Sequence, residues 1–302
     1  MWLIFTLATT LIWGLAELFY KMGSHEDEKY GHLKVCIFVG LVMGIHAVFT
    51  LCTQDIGFKL SHIIEYLPVS ACYIGSMALS FFGIRFIEES ISDPIENTAG
   101  AICSLLCMLF LRQSISVYAW IAIGIIVVGI LGVGFLEKKE SNRANKYGKK
   151  LAVIAFMMPF GYAIIDAFGS FLDVYYLDTE ITPLRFVTEE NIEMVANTAY
   201  ELTFALVAVV LFIFMKMKKV KFEITKQKDK MIAAVCETAG QLTYVHAMSN
   251  NGAIAAPIIS SVCVVSLLLS RIFLKEKLTA KQYLFIGIII VGILMLAIIE
   301  GE

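Results

Sequence analysis

Ten stretches of mostly apolar residues, each long enough to cross a bilayer, follow one another along this chain of 302 residues. A membrane-spanning α-helix needs about 20 such residues, because the hydrocarbon core of a bilayer is about 30 Å thick. The stretches, called spans 1 to 10, are 2–21, 34–53, 67–86, 90–111, 117–136, 150–177, 191–215, 230–249, 252–273 and 281–299. We therefore predict an all-α integral membrane protein with ten transmembrane helices.

The composition supports a membrane protein. Hydrophobic residues make up 59% of the chain and charged residues 17%, against about half and about a quarter in a soluble domain. The first stretch opens at Trp2 with no basic residue before it, so we expect a first span and not a signal peptide. All seven cysteines lie in apolar stretches without a CxxC pair, which indicates packing residues. We expect no cofactor and no metal.

The loops differ strongly in charge. Nearly all of the 24 lysines and arginines lie in the loops on one side of the membrane, the side that contains the loop between spans 1 and 2. The exceptions are Lys59, Arg112 and Arg185. By the positive-inside rule the basic side is cytoplasmic and both termini lie outside. We expect a multi-pass protein of a bacterial plasma membrane. The lysine-rich stretches 138–150 and 216–230 are interpreted as topology anchors, with no nucleic-acid partner.

Two parts of the chain repeat each other. Residues 85–135 align with residues 248–298 at a constant offset of 163 and without a gap. The alignment pairs Pro94 with Pro257, Trp120 with Tyr283, Gly124 with Gly287, Gly129 with Gly292, and Arg112 with Lys275. Since the copies are five spans apart, an odd number, they cross the membrane in opposite directions. This predicts two inverted five-helix repeats, residues 1–137 and 150–302, joined by a cytoplasmic linker over 138–149.

The residues of the second copy also carry a family resemblance. Pro257, the run 274–279 (Leu-Lys-Glu-Lys-Leu-Thr), Gln282, Gly287 and Gly292 resemble the closing helices of EamA-like carriers of the drug/metabolite transporter superfamily. The run 12–14 (Ile-Trp-Gly) resembles the opening helix of that family. One departure is Gln113, which stands where the second copy has Glu276. The resemblance implies a ten-helix inverted-repeat carrier, with spans 5 and 10 at the periphery and a cavity between the other spans.

A few carboxylates interrupt the apolar spans. They are Glu17, Glu96, Asp166, Glu201 and Glu237, with Asp173 nearer the outer surface. A carboxylate in hydrocarbon costs a few kcal/mol at least, so it usually serves a substrate or proton pathway. No lysine or arginine lies deep in a span. We therefore expect these groups to be protonated or to meet a cationic substrate, whereas an anionic substrate would need buried basic residues.

Helical spacing places aromatic and amide side chains beside these acids. Tyr162 and Asp166 share a face of span 6, and Asn197 and Glu201 share a face of span 7. Glu237, Gln241 and Tyr244 follow one face of span 8, and Trp13 precedes Glu17 by one turn in span 1. The pattern predicts an acidic site with aromatic walls near the midplane, a chemistry that favours organic cations.

Several of these residues have a second interpretation. Glu17 lies one turn before Lys21 and forms either an interfacial ion pair or a binding group, as in the small multidrug-resistance branch that its position resembles. Pro94 is either at the first turn of span 4, with Glu96 in a capping box, or an interior kink like Pro257, with Glu96 facing the cavity. His46 and His246 are interpreted as packing residues.

These observations predict a secondary transporter for a small organic cation or amino-bearing metabolite, working by alternating access and coupled to protons. The expected partners are a small-molecule substrate, protons and the lipid bilayer, and the chain is a monomer or homodimer. The alternative is a carrier for neutral or zwitterionic amino acids or drugs, in which the carboxylates only relay protons. A channel and an intramembrane enzyme are remote alternatives, since no HExxH, CxxC, GxSxG or Walker-type pattern occurs.

Overall fold

The computed structural model describes residues 2–23, 30–83, 89–137, 149–220, 227–275 and 278–299. These parts of the chain form helices and no strand. The helices are α1 (Trp2–Gly23), α2 (Gly31–Thr53), α3 (Ser61–Glu65), α4 (Leu67–Gly83), α5 (Glu89–Glu96), α6 (Ala99–Phe110), α7 (Val117–Glu137), α8 (Lys149–Leu177), α9 (Ile192–Met217), α10 (Lys228–Ile259), α11 (Val262–Phe273) and α12 (Ala280–Ile299). Residues 85–88 of the repeat, residues 138–148 of the linker and Glu276 lie outside the described residues.

Each expected span coincides with a helix or with a broken helix. Among the described residues, α1, α2, α9 and α12 are each long and apolar enough to cross a membrane alone, and α10 with α11 forms a pair bent by 51°. Spans 4 and 9 are each broken in two, which the hydropathy did not show, and the short α3 was not expected. The protein is an all-α integral membrane protein, and the count of ten crossings stays a prediction.

Span 8 and the first part of span 9 follow each other inside α10 with no intervening loop. The backbone of Asn251 is non-helical, with φ −156° and ψ 59°, and divides α10 into two segments. A Cβ on Gly240 would meet Trp13 of α1, and a Cβ on Gly14 of α1 would meet Val265 of α11. The chain therefore passes α1 before and after Asn251, as two successive spans would.

The repeat is visible in the helix boundaries. α6 and α11 begin at Ala99 and Val262 and end at Phe110 and Phe273, and both pairs are separated by the offset of 163. Two residues after these helix ends lie Arg112 and Lys275, which are also equivalent. Both have a left-handed backbone, with φ 54° at Arg112 and 57° at Lys275. Non-glycine residues rarely adopt this conformation, so its recurrence shows that the two copies end this helix in the same way.

Glycine contacts between α7 and α12 show that the copies run in opposite directions. A Cβ on Gly129 would meet Ile289, and a Cβ on Gly292 would meet Ile126. The two glycines are equivalent in the repeat, and so are the two isoleucines, so the same contact is made twice. Such reciprocal contacts are those of a two-fold axis. Gly132 faces Phe285. Residue numbers along α7 therefore rise while the residue numbers of their contacts in α12 fall. The two helices are antiparallel, which confirms the inverted repeat.

The buried residues form two clusters. The larger one joins α2, α4, α6, α8, α9 and α10 around Phe38, Met43, Tyr200 and Met248. The smaller one joins α7 and α12 to α10 and α11 around Ile126, Ile258 and Ile289. The outer faces of α7 and α12 expose large apolar side chains, among them Val128 and Leu294, as lipid-facing helices do. The site described next lies outside this second cluster.

Candidate functional site

A cavity of about 230 Å³ lies between α1, α4, α8, α9 and α10, beside the breaks that separate α5 from α6 and α10 from α11. Its wall contains most of the predicted site residues: Trp13, Glu17, Glu96, Tyr162, Asp166, Glu237, Gln241 and Tyr244. No lysine or arginine of the described residues lines it. The residues that spacing had placed on spans 1, 6 and 8 therefore surround one space, together with Glu96 of span 4.

Hydroxyl groups contact the carboxylates in this wall. Ser76 donates a hydrogen bond of 3.0 Å to Asp166, and Tyr20 donates one of 3.3 Å to Glu237. Glu96 accepts hydrogen bonds from Ser80 at 2.8 Å and from Ser92 at 2.5 Å. Asp166, Glu237 and Glu96 thus each accept a hydrogen bond from a neutral hydroxyl group, which brings no positive charge to the carboxylate.

Aromatic side chains stand beside the acids. The rings of Trp13 and Tyr244 stack with centroids 5.0 Å apart, and Nε1 of Trp13 donates to the backbone oxygen of Glu237 at 3.2 Å. Tyr200 meets Tyr73 edge to face at 5.7 Å. The indole hydrogen bond fixes Trp13 across α1 and α10, so its position relative to Glu237 is set by the packing of these two helices.

A layer of hydrogen bonds bounds the cavity toward the C-terminal end of α8. The hydroxyls of Tyr73 and Tyr244, both in the cavity wall, are 2.5 Å apart, and each lies 3.2 Å from the hydroxyl of Ser170. Tyr73 also donates to Asp173 at 2.8 Å, and Tyr66 donates to the same carboxyl group. Asp173 and Tyr66 are each 1% exposed. These five residues, the Asp173 layer, close this end of the cavity.

The two predicted kink residues lie where the helices break. Pro94 is inside α5 and Pro257 inside α10, each two residues before its helix ends. α5 begins five residues before Pro94, so Pro94 is not at the first turn of this helix. Proline removes a backbone hydrogen bond and clashes with the preceding turn. The breaks place Glu96, Asn97 and Ser260 in the cavity wall.

Glu201 and Asn197 lie elsewhere. They are 0% and 3% exposed and do not belong to the cavity wall. Glu201 faces α2, where His46 lies within 2.9 Å of both of its carboxylate oxygens. Helical spacing put Glu201 on a face of α9 but did not show which helix that face meets. The adjacent residue, Tyr200, occupies the cavity side instead.

Eight further polar residues of the wall were not predicted: Tyr20, Tyr73, Ser76, Ser80, Asn97, Ser170, Tyr200 and Ser260. Three of them follow α4 at intervals of three and four residues, a polar stripe that the spacing argument could have found. It went unnoticed because hydroxyl side chains are common in membrane helices and carry no charge.

Comparison with known proteins decides what kind of protein contains this cavity. The sequence pattern of the EamA-like transporter family matches residues 1–135 and 181–298. The chain belongs to the EamA-like transporter family. The predicted resemblance is therefore confirmed over both halves, and the protein is a multi-pass membrane transporter. Members of this family are transporters and not enzymes.

A solved structure gives the same fold. A chain described only as "Crystal structure of protein" superposes with a TM-score of 0.74, covering 99% of this chain and 96% of that chain at 10% sequence identity. At this identity the likeness shows the fold alone. No curated protein matches this chain. Within the described residues, no group of three or more histidine, cysteine, aspartate or glutamate side chains is arranged to hold a metal ion.

Proposed function

We propose that this EamA-like transporter moves a small organic cation or amino-bearing metabolite through the acidic and aromatic cavity, by alternating access coupled to protons. The observation that carries the proposal is the pairing of carboxylates with aromatic rings in a wall without lysine or arginine among the described residues. Asp166 and Glu237 supply negative charge, and Trp13 and Tyr244 supply ring faces that attract ammonium groups.

The size of the cavity supports a small substrate. A volume of about 230 Å³ is below the range of about 300–1,000 Å³ that is usual for sites of drug-sized ligands. An amine with a few carbon atoms fits such a space. A zwitterionic amino acid fits the chemistry less well, since its carboxylate would meet like charge from Asp166 and Glu237.

Transport requires that the Asp173 layer opens. In this structure the layer closes the cavity toward the end of α8 that faces outward under the proposed orientation, with both termini outside. Tyr73 and Tyr244 belong both to the cavity wall and to the layer. An ammonium group at these hydroxyls would compete with the bonds that hold the layer together, which gives the substrate a way to favour opening.

The proposal is tested by removing charge without changing shape. Asp166→Asn and Glu237→Gln should each weaken the binding of choline, a small quaternary ammonium ion, by about tenfold to a hundredfold. The reason is that each change removes a negative charge next to the cation, and a close pair of opposite charges can be worth about 1.5 kcal/mol or more. The measurement is saturable choline uptake into proteoliposomes, with the Michaelis constant as readout.

The matched control is Asp178→Asn. Asp178 is an exposed residue that follows α8 and accepts a hydrogen bond of 3.0 Å from the backbone of Glu180. This variant makes the same chemical change in the same part of the chain, and its uptake should equal that of the wild type. Equal uptake by all the variants would contradict the proposal.

A further inference from the structure

A histidine and a glutamate meet between α2 and α9, away from the cavity. Nδ1 of His46 lies 2.9 Å and 2.8 Å from the two carboxylate oxygens of Glu201. The side chain of Glu201 is 0% exposed and that of His46 is 28% exposed. The buried carboxylate is therefore bonded to an imidazole that is itself partly exposed.

The site lacks one hydrogen-bond donor. Asn197, one turn before Glu201, is 3% exposed, and its Oδ1 has no partner among the described residues. Leaving a buried acceptor unpaired is unfavourable. A water molecule that carries a proton to or from His46 and Glu201 could donate a hydrogen bond to this oxygen of Asn197.

The charge of this pair depends on one proton. With the proton on either group the pair is neutral overall, and without it the pair carries one negative charge in a buried position, where an unpaired charge is costly. Histidine is the side chain that ordinarily changes its charge between pH 5 and 8. We propose that the His46–Glu201 pair binds the coupling proton, at a site separate from the cation cavity. This inference rests on the proposed function.

Other titratable groups face α9 from its neighbours. Asp166 and Asp173 on α8 and Glu237 on α10 lie close enough to Tyr200 to interact with it electrostatically, on the cavity side of the helix. On α3, His62 and Glu65 bond to Arg185, which precedes α9. On α4, Tyr73 meets Tyr200 edge to face, and His246 of α10 pairs with Glu193 at the start of α9. In the described structure, Glu201 contacts none of these groups.

α9 connects the two sites. Tyr200 lines the cavity, and the next residue, Glu201, contacts His46. A rotation or shift of α9 that follows loss of the proton would therefore also move Tyr200 against the bound cation. In this scheme the proton and the cation do not compete for the same carboxylate, because they bind on different faces of α9.

The experiment separates exchange from accumulation. Proteoliposomes with wild type, Glu201→Gln or His46→Gln are tested for choline exchange without a pH gradient, and for choline accumulation under a gradient of one pH unit. One proton exchanged per cation supports about tenfold accumulation. The wild type should reach this ratio, whereas both variants should still exchange choline and reach a ratio of about one.

Another histidine–glutamate contact among the described residues provides the control. Glu193→Gln removes the partner of His246, a pair that is 25% and 33% exposed, and should accumulate choline like the wild type. If Glu201→Gln does not fold, His46→Gln carries the test, because its side chain is partly exposed. Accumulation by both variants at the wild-type ratio would overturn the inference, and so would wild-type exchange without accumulation. Absence of wild-type exchange would instead overturn the proposed function.

Discussion

Asp166 and Glu237 receive hydrogen bonds from Ser76 and Tyr20 inside the membrane. Hydroxyl donors lower the cost of burying a carboxylate, but they supply no charge to balance it. A cation that enters the cavity would supply that charge, and the ring face of Trp13 would contribute to its attraction. Asp166 and Glu237 thus bring charge from two helices to an aromatic surface on a third.

Trp13 is the residue at which the aromatic contribution can be measured. Trp13→Leu keeps an apolar contact but removes the ring, and should weaken choline binding by up to about thirtyfold, since a desolvated cation–π contact is worth about 2 kcal/mol. Trp13→Phe keeps a weaker ring face, so its affinity for choline should lie between that of Trp13→Leu and that of the wild type. The affinities are measured by choline inhibition of its own labelled uptake. An equal loss in both variants would mean that Trp13 acts by packing alone.

The sequence predicted the members of this site better than their arrangement. Asp166, Glu237, Tyr162, Gln241 and Tyr244 follow from charge and helical spacing, because few polar residues interrupt the spans. Glu201 shows the limit, since spacing defines a face of a helix but not the neighbour of that face. Its contact with His46, interpreted as a packing residue, depends on how α2 meets α9 and has no local sequence signal.

Among the elements, the broken spans 4 and 9 repeat each other in detail. Thr98 and Ser261, which are equivalent, donate from their hydroxyls to the backbone oxygens of Ile95 and Ile258 at 2.7 Å and 2.5 Å. In a membrane, backbone groups released by a break must find partners within the protein. The two hydroxyls supply them. The prolines predicted a kink, but the full break also needed these flanking residues, which hydropathy does not register.

The α7–α12 contact gives a prediction at this scale. Gly129→Ala and Gly292→Ala should each destabilise the protein by about 1–3 kcal/mol, because the new methyl groups would overlap Ile289 and Ile126. Gly124 and Gly287 are equivalent to each other as well, and a Cβ there would meet nothing described within 4 Å. Their alanine variants should be neutral or slightly more stable. Thermal unfolding in detergent measures all four, and equal destabilisation would contradict the packing.

At the scale of the whole molecule, the repeat is symmetric in its backbone and asymmetric in its chemistry. The helix breaks and the glycine contacts recur at an offset of 163, which is the offset at which the sequence itself repeats. The acids do not recur: the position equivalent to Glu96 is Ile259. The symmetric backbone suits a carrier that opens to either side of the membrane, while the acids give the shared cavity its preference for charge.

The most direct test of the central claim compares two solutes of the same shape. Choline and its neutral carbon isostere, 3,3-dimethylbutan-1-ol, differ in the charge of one atom, and each is offered to proteoliposomes containing the wild-type chain. The acidic and aromatic cavity predicts that choline inhibits uptake of labelled choline saturably, whereas the isostere does so at least about tenfold more weakly. Equal inhibition by the two compounds, or no saturable uptake of choline, would contradict the claim.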